Sequence, residues 1–442
     1  MQAPGVNCSI SFIFIILLIL FCCFSAEGNQ PLFSLIRKDN ATKLYSVSMY
    51  LGNPYERRDL HLDLGASLSW FDCDHGFNSS SYVHVLYNST LCHMLHYGVH
   101  GNCFKKRGPA CFNNSCEFYS ENSVTQKAAV GDLLVDTFWL NATDVGNPGI
   151  VDLGGIIDFT FSCGTTKLLT GLATGVTGLA ALGRFNFSIP ADMSRAFSSP
   201  WVFAICLPSS PSGDGAAVFN SYGPYILSPA GIDVSKSMIY TPLLLNPIGG
   251  TVRTYPNRPS DEYFIGVTGV RVNGKSVPVN KTLLEINKRT GFGGTKITTS
   301  TPYAVLQTSI FKALTAAFKE AASVMKLKPI SPVGPFSLCY AADKIPRTRV
   351  GPAVPTIDLV LQSNSVFWRI FEANSMVNVG EHAMCLGFLD GGVEPRTSIV
   401  IGGLQIEDNL LQFDLVSKRL GFTNSLLSRN TTCSNLNFAA LR

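Results

Sequence analysis

The chain has 442 residues, of which 46% are apolar and only 14% charged, a balance that supplies a large core and excludes a disordered chain. Its formal charge of +4 is spread without any block of Lys or Arg, which excludes the footprint of a nucleic-acid binder and strong electrostatic attraction to a membrane. The first element is an apolar run from Ile10 to Phe24, interrupted only by Ser11 and followed by Ser25, Ala26 and Gly28. It reads as a signal peptide over residues 1–26, although Met1 to Ser9 carries no Lys or Arg, and it falls short of the roughly 20 residues of a spanning helix. The mature protein is therefore expected outside the cell, with no membrane anchor.

Removal of the leader takes Cys8, Cys22 and Cys23, and leaves Cys73, Cys92, Cys103, Cys111, Cys116, Cys163, Cys206, Cys339, Cys385 and Cys433. An even set without a Cys-x-x-Cys pair, in an exported chain, predicts structural disulfides rather than zinc or redox chemistry. Acceptor sequons at Asn40, Asn78, Asn88, Asn113, Asn141, Asn186, Asn280 and Asn430 agree with export and mark candidate N-glycosylation sites.

Most of the mature chain reads as short strands punctuated by Gly, Pro, Asn and Ser, as at Leu44 to Leu51, Leu60 to Trp70, Tyr263 to Val272 and Ile357 to Leu361, so the fold is expected to be mainly β. One helix is predicted at Thr308 to Met325, where Phe311, Leu314, Phe318, Ala322 and Met325 recur at helical spacing behind Thr308 and Ser309 as caps. The stretch Pro208 to Gly223, then Ser235 to Pro247, reads as the crossover between two lobes, placing one at residues 27–234 and the other at 235–442. A loose internal echo relates Leu60-His-Leu-Asp63-Leu-Gly-Ala to Gly291-Phe-Gly-Gly-Thr-Lys-Ile297.

The string Asp63-Leu-Gly-Ala-Ser-Leu-Ser-Trp-Phe-Asp-Cys73 resembles the first active-site loop of pepsin-like aspartic proteases, which reads Asp-Thr/Ser-Gly. Gly178-Leu-Ala-Ala-Leu-Gly-Arg184 is similar to a Gly-Leu-Gly-Arg turn of the plant branch, and Ile401-Gly-Gly through Phe413-Asp414 to Gly421-Phe422 resembles its closing strands. The phrases Tyr263-Phe-Ile-Gly-Val, Gly293-Gly-Thr-Lys-Ile and Glu407-Asp-Asn-Leu are closer to the non-proteolytic members, the group of extracellular dermal glycoprotein, xyloglucanase inhibitors and basic 7S globulin. The resemblance implies a bilobal pepsin-like fold. Against the family's pattern, the segment Cys92 to Cys116 is two cysteines short.

Aspartic proteolysis needs two carboxylates that share a proton, one acting on water while the other serves the carbonyl. The second loop reads Gly291-Phe-Gly-Gly-Thr295, which sets Phe292 where the family has its second aspartate, and no Asp or Glu occurs between Glu285 and Glu320. Leu64 and Ala66 replace the hydroxyl residues that the family places beside its first aspartate. Asp63 is thus expected to be a hydrogen-bonded turn residue without a catalytic partner, and the chain not an enzyme. Asp152-Leu-Gly-Gly155 repeats the string on the wrong side of the lobe boundary and reads as a turn. Six of the seven histidines fall between His61 and His100. Three of them, His93, His96 and His100, sit among glycines beside a cysteine expected in a bridge, so they read as a solvated loop rather than a metal site.

Relatives in this group inhibit microbial glycoside hydrolases, and in the xyloglucanase inhibitors two loops of the second lobe each present an arginine to the enzyme's cleft. The matching positions are Arg349, in Thr348-Arg-Val-Gly-Pro352, and Arg396, in Glu394-Pro-Arg-Thr-Ser398. A guanidinium can occupy a pair of catalytic carboxylates through a bidentate fork. The resemblance therefore implies a secreted inhibitor of a xyloglucan-specific endoglucanase, working without cofactor. The alternative it leaves open is an extracellular binding or storage-type protein, like basic 7S globulin, that recognises a peptide or cell-wall component.

Overall fold

A computed structural model describes residues 31–442 except 97, 105, 144–150, 230, 251, 255–257, 439–440 and 442. The expected signal peptide lies outside the described residues. Among the described residues no helix is long and apolar enough to cross a membrane.

The backbone is organised about a central antiparallel sheet to which the two halves of the chain contribute alike. Its order is Leu32–Lys38, Gly215–Phe219 and Val202–Cys206 from the first half, then Leu410–Asp414, Arg419–Phe422 and Ile239–Leu244 from the second. The two halves meet where Ala204 faces Gln412. Val202–Cys206 reads Val-Phe-Ala-Ile-Cys and is buried throughout, the unbroken apolar pattern of a strand covered on both faces. Phe203 stacks on Phe413 at 4.8 Å, Tyr263 packs on Phe413 at 4.4 Å, and the Tyr263 hydroxyl donates to the Leu182 carbonyl at 2.8 Å. These contacts lock the halves together around one continuous core.

Each half repeats one further unit. Glu56–Asp63 runs parallel to Gly178–Ala181, and Thr295–Ile297 runs parallel to Ile399–Ile401. The loops that leave Asp63 and Ile297 meet, where Leu64 N donates to Thr299 Oγ1 at 3.2 Å. Gly183 belongs to this packing, since a Cβ there would stand 2.4 Å from the Ala66 carbonyl oxygen, closer than any side chain tolerates.

The mainly β expectation is met, with local corrections. The strand expected over Leu60 to Trp70 stops at Asp63 and resumes at Trp70–Asp72, because the Asp63 carboxylate accepts the backbone N–H groups of Gly65 and Ala66 and turns the chain. The segment read as crossover contains the fully buried strand Gly215–Phe219, whose small residues let strands close in. Asp152 to Gly155 is no turn but part of the strand Val151–Gly164, paired with Lys127–Thr143. The long helix spans Thr308–Val324 and buries Ile310, Phe311, Leu314, Phe318 and Ala322. Its cap is Gln307, whose Oε1 accepts from Ser309 N at 2.7 Å, in place of the expected Thr308 or Ser309, and Met325 lies beyond the core at 39% exposed.

The ten cysteines from Cys73 to Cys433 all pair, as Cys73–Cys163, Cys92–Cys116, Cys103–Cys111, Cys206–Cys433 and Cys339–Cys385. Cys206–Cys433 spans 227 residues and ties the C-terminal segment to the central sheet, a closure that restricts the unfolded chain most. Among the sequons, Asn141 stands half-buried in the strand Lys127–Thr143, and the other seven asparagines are exposed.

Candidate functional site

Asp63 sits at the end of its strand, 1% exposed. Its Oδ1 accepts from Gly65 N at 2.7 Å and Ala66 N at 3.2 Å, and its Oδ2 accepts from the Ser123 hydroxyl. Ser123 lies at the tip of a hairpin formed by Ser115–Asn122 and Lys127–Thr143, in which Asn122 pairs with Lys127. The tip is built by Asn122, whose Oδ1 accepts from Val124 N and Thr125 N at 2.9 Å while its Nδ2 donates to the carbonyls of Leu168 and Thr170. That buried amide fixes the flap over Asp63.

The residue facing Asp63 is not Phe292. Phe292 is 48% exposed and belongs to a tight turn in which Asn287 N donates to its carbonyl at 2.8 Å. The loop that meets Asp63 is Thr298-Thr299-Ser300. Thr299 Oγ1 accepts from Leu64 N at 3.2 Å and donates to the Leu62 carbonyl at 2.6 Å, clasping the backbone on both sides of Asp63. Thr299 is thereby the counterpart of Leu64, the residue after the aspartate, and Thr298 is the counterpart of Asp63. Ser300 completes the link, since the Ser123 hydroxyl also stands 2.8 Å from its Oγ. A second loop does face the first, but its second position lies six residues beyond the one expected, at Thr298 and not Phe292. The signal that could have found it is the apolar strand: Asp63 follows Leu60-His-Leu directly, and Thr298 follows Thr295-Lys-Ile directly.

A second carboxyl, Glu121 of the flap, lines the same cavity as Asp63. It accepts from Val252 N at 3.4 Å and Arg253 N at 3.2 Å, and burial pushes its pKa up to about 7, against those two backbone donors. The Arg253 guanidinium lies 3.7 Å from the centre of the Tyr119 ring, a cation–π contact. The second half of the chain is thus fastened onto the flap. The space left beside Asp63 is about 10 Å³, room for no more than about one water. Both oxygens of Asp63 and the carboxyl of Glu121 are committed to donors of their own chain, and no hydrogen bond joins the two acids among the described residues. Neither Glu121 nor Ser123 carries a motif, which is why sequence reasoning missed them.

The two arginines singled out from the sequence sit in different surroundings. Arg349 is exposed at the tip of a hairpin, Arg347–Thr348 against Gly351–Pro352. Thr348 Oγ1 accepts from Val350 N and donates to the Gly351 carbonyl, and Ala373 N anchors the turn through the Val350 carbonyl at 3.0 Å. Gly351 has φ +130, and a Cβ there would stand 2.2 Å from Ala373 N, so the turn depends on glycine. Arg396 is half-buried: its Nη2 donates to the Ile248 carbonyl at 2.6 Å, and Nη1 reaches Thr254 Oγ1 at 3.5 Å. The structure does not present Arg396 freely as it does Arg349.

Comparison with known proteins places this arrangement. The family described as Xylanase inhibitor N-terminal matches residues 45–221, and Xylanase inhibitor C-terminal matches residues 262–424. The chain belongs to the xylanase inhibitor family. Within it, the chain is 46% identical to the probable aspartic proteinase GIP2 of Nicotiana benthamiana over 92% of this chain and 91% of that one. It is 32% identical to basic 7S globulin of Glycine max over 91% of each. Among solved structures, that of edgp superposes with a TM-score of 0.88 at 41% identity, covering 92% of this chain and 98% of that one. Conglutin gamma from lupine seeds superposes at 0.78 with 31% identity and the same coverage. Membership of this pepsin-like family accounts for the doubled unit around the central sheet; the family is described as xylanase inhibitor, while its members' names include globulin and probable aspartic proteinase.

Proposed function

We propose that this xylanase-inhibitor family protein is secreted, does not cut peptides, and inhibits a microbial glycoside hydrolase of the xyloglucan-specific endoglucanase type by blocking its active cleft. The observation that carries the reading is Arg349, an exposed guanidinium on a two-residue hairpin tip whose backbone is held from behind by Ala373. A fixed tip loses little freedom on docking, and its guanidinium can take a bidentate place between two carboxylates. Arg396 joins it once its Nη2 exchanges the Ile248 carbonyl for an acid of the target. The non-proteolytic part rests on Thr298, a hydroxyl residue opposite a carboxylate whose oxygens already have donors.

The test is titration of the purified protein against a panel of microbial xyloglucanases and xylanases. Tight inhibition is expected, with Arg349→Ala weakening it by about a hundredfold, the scale of an interface anchor. No inhibition anywhere in the panel would favour the second reading, an extracellular binding or storage protein, which the likeness to basic 7S globulin and the gamma conglutins supports. An unstructured peptide incubated with the protein at acid pH should remain intact; cleavage abolished by Asp63→Asn would falsify the non-proteolytic reading.

A further inference from the structure

Away from Asp63, a cavity of about 440 Å³ opens at the junction of the two halves, walled by Arg184 and Trp201 from the first and by Leu245, Asp261 and Lys418 from the second, with His96 at its edge. Its charges do not balance. Asp261 is committed to Arg258 and to the Ser67 hydroxyl. Arg184 Nη1 donates to the Leu244 carbonyl at 3.1 Å, and it makes no ion pair among the described residues; nor does Lys418, which is exposed at a hairpin turn. Trp201, half-buried, gives the cavity an aromatic wall. Beside it Leu245 is 52% exposed.

We propose that this cavity binds an oligouronide, a chain of sugar rings that each carry a carboxylate. Arg184 and Lys418 supply the cations for a carboxylate, and Trp201 with Leu245 supplies an apolar surface for a ring face. The volume is that of a small-molecule site and exceeds what a bare sulfate or phosphate would fill. The site is separate from Arg349 and does not depend on the hydrolase reading. Asn186 borders the cavity and lies in a sequon, so a glycan there would compete for the same space.

Calorimetric titration with a trimer of galacturonic acid tests the proposal, on the natural chain and on Asn186→Gln, beside the methyl-esterified trimer and sulfate. The free-acid trimer is expected to bind at least one of the two chains, more weakly as salt rises, and the ester and sulfate at least about tenfold more weakly. Lys418→Gln, an exposed change that leaves the fold intact, should weaken the trimer about tenfold, and Trp201→Leu, which removes the ring, several-fold. The proposal is overturned by absence of binding in both chains, by ester or sulfate binding as tightly as the acid, or by full affinity in both Lys418→Gln and Trp201→Leu.

Discussion

The two loops that meet at the centre of the molecule share a backbone plan and differ in what they carry. The Asp63 loop holds a buried carboxylate satisfied by two N–H groups and the Ser123 hydroxyl. The Thr298 loop holds only hydroxyls, and one of them, on Thr299, reaches across to the Asp63 strand. Leu64 has no hydroxyl to return that clasp, so the link is one-sided. The difference separates two tasks that a pair of acid loops would combine: Thr299 keeps the structural joint between the halves, while the position of the second acid has no carboxylate.

The sharpest way to break this comparison is Thr299→Val. It leaves the Leu64 N–H and the Leu62 carbonyl buried and unpaired, and should cost about 3 kcal/mol of stability, read as a lower midpoint in urea with the slope unchanged. The counterpart change Thr298→Val removes one short-range bond, to Ser300 N at 3.1 Å, and should cost about 1 kcal/mol or less. Equal losses for the two threonines would show that Thr299 is no clasp.

The arginines repeat the contrast on the outer face. Arg396→Ala should lower stability by about 1 kcal/mol, because the Ile248 carbonyl and the segment behind it lose their donor, whereas Arg349→Ala should stay within about 0.5 kcal/mol, as exposed changes do. A Tm that falls equally for both would remove the distinction between a tied and a presented guanidinium.

The smallest effect is in pH. Burial raises the carboxyls of Glu121, Asp192 and Glu407 to about 7, opposed at Asp192 by Arg195 and at Glu407 by Lys38. A carboxyl raised in the folded state contributes stability that is complete below its unfolded value and is lost as pH rises through about 7. His61 runs the other way. Burial lowers it to about 4, against the pull of Asp63, so its contribution is complete above about 6.5 and lost as pH falls. Thermal stability should therefore be highest at about pH 5–6 and lower at pH 8. A Tm that climbs steadily from pH 5 to pH 8 would contradict the buried acids as the dominant groups.

Several features were legible before any coordinates. The strings around Asp63, Gly178 and Ile401 carried the pepsin-like fold, because strand patterns and turn residues are local. No Asp or Glu occurs between Glu285 and Glu320, and that could be read without knowing which residue faces Asp63. An even set of ten cysteines implied complete pairing. Only the tertiary structure decided that Thr298 and not Phe292 stands opposite Asp63, that Ser123 holds the remaining carboxylate oxygen, and that Arg396 is tied down while Arg349 is presented. The physical reason is separation along the chain. The clasp joins residues 235 apart and the Arg396 bond spans 148, and no local pattern encodes which of several hydroxyls or carbonyls will meet once the halves close on their shared sheet.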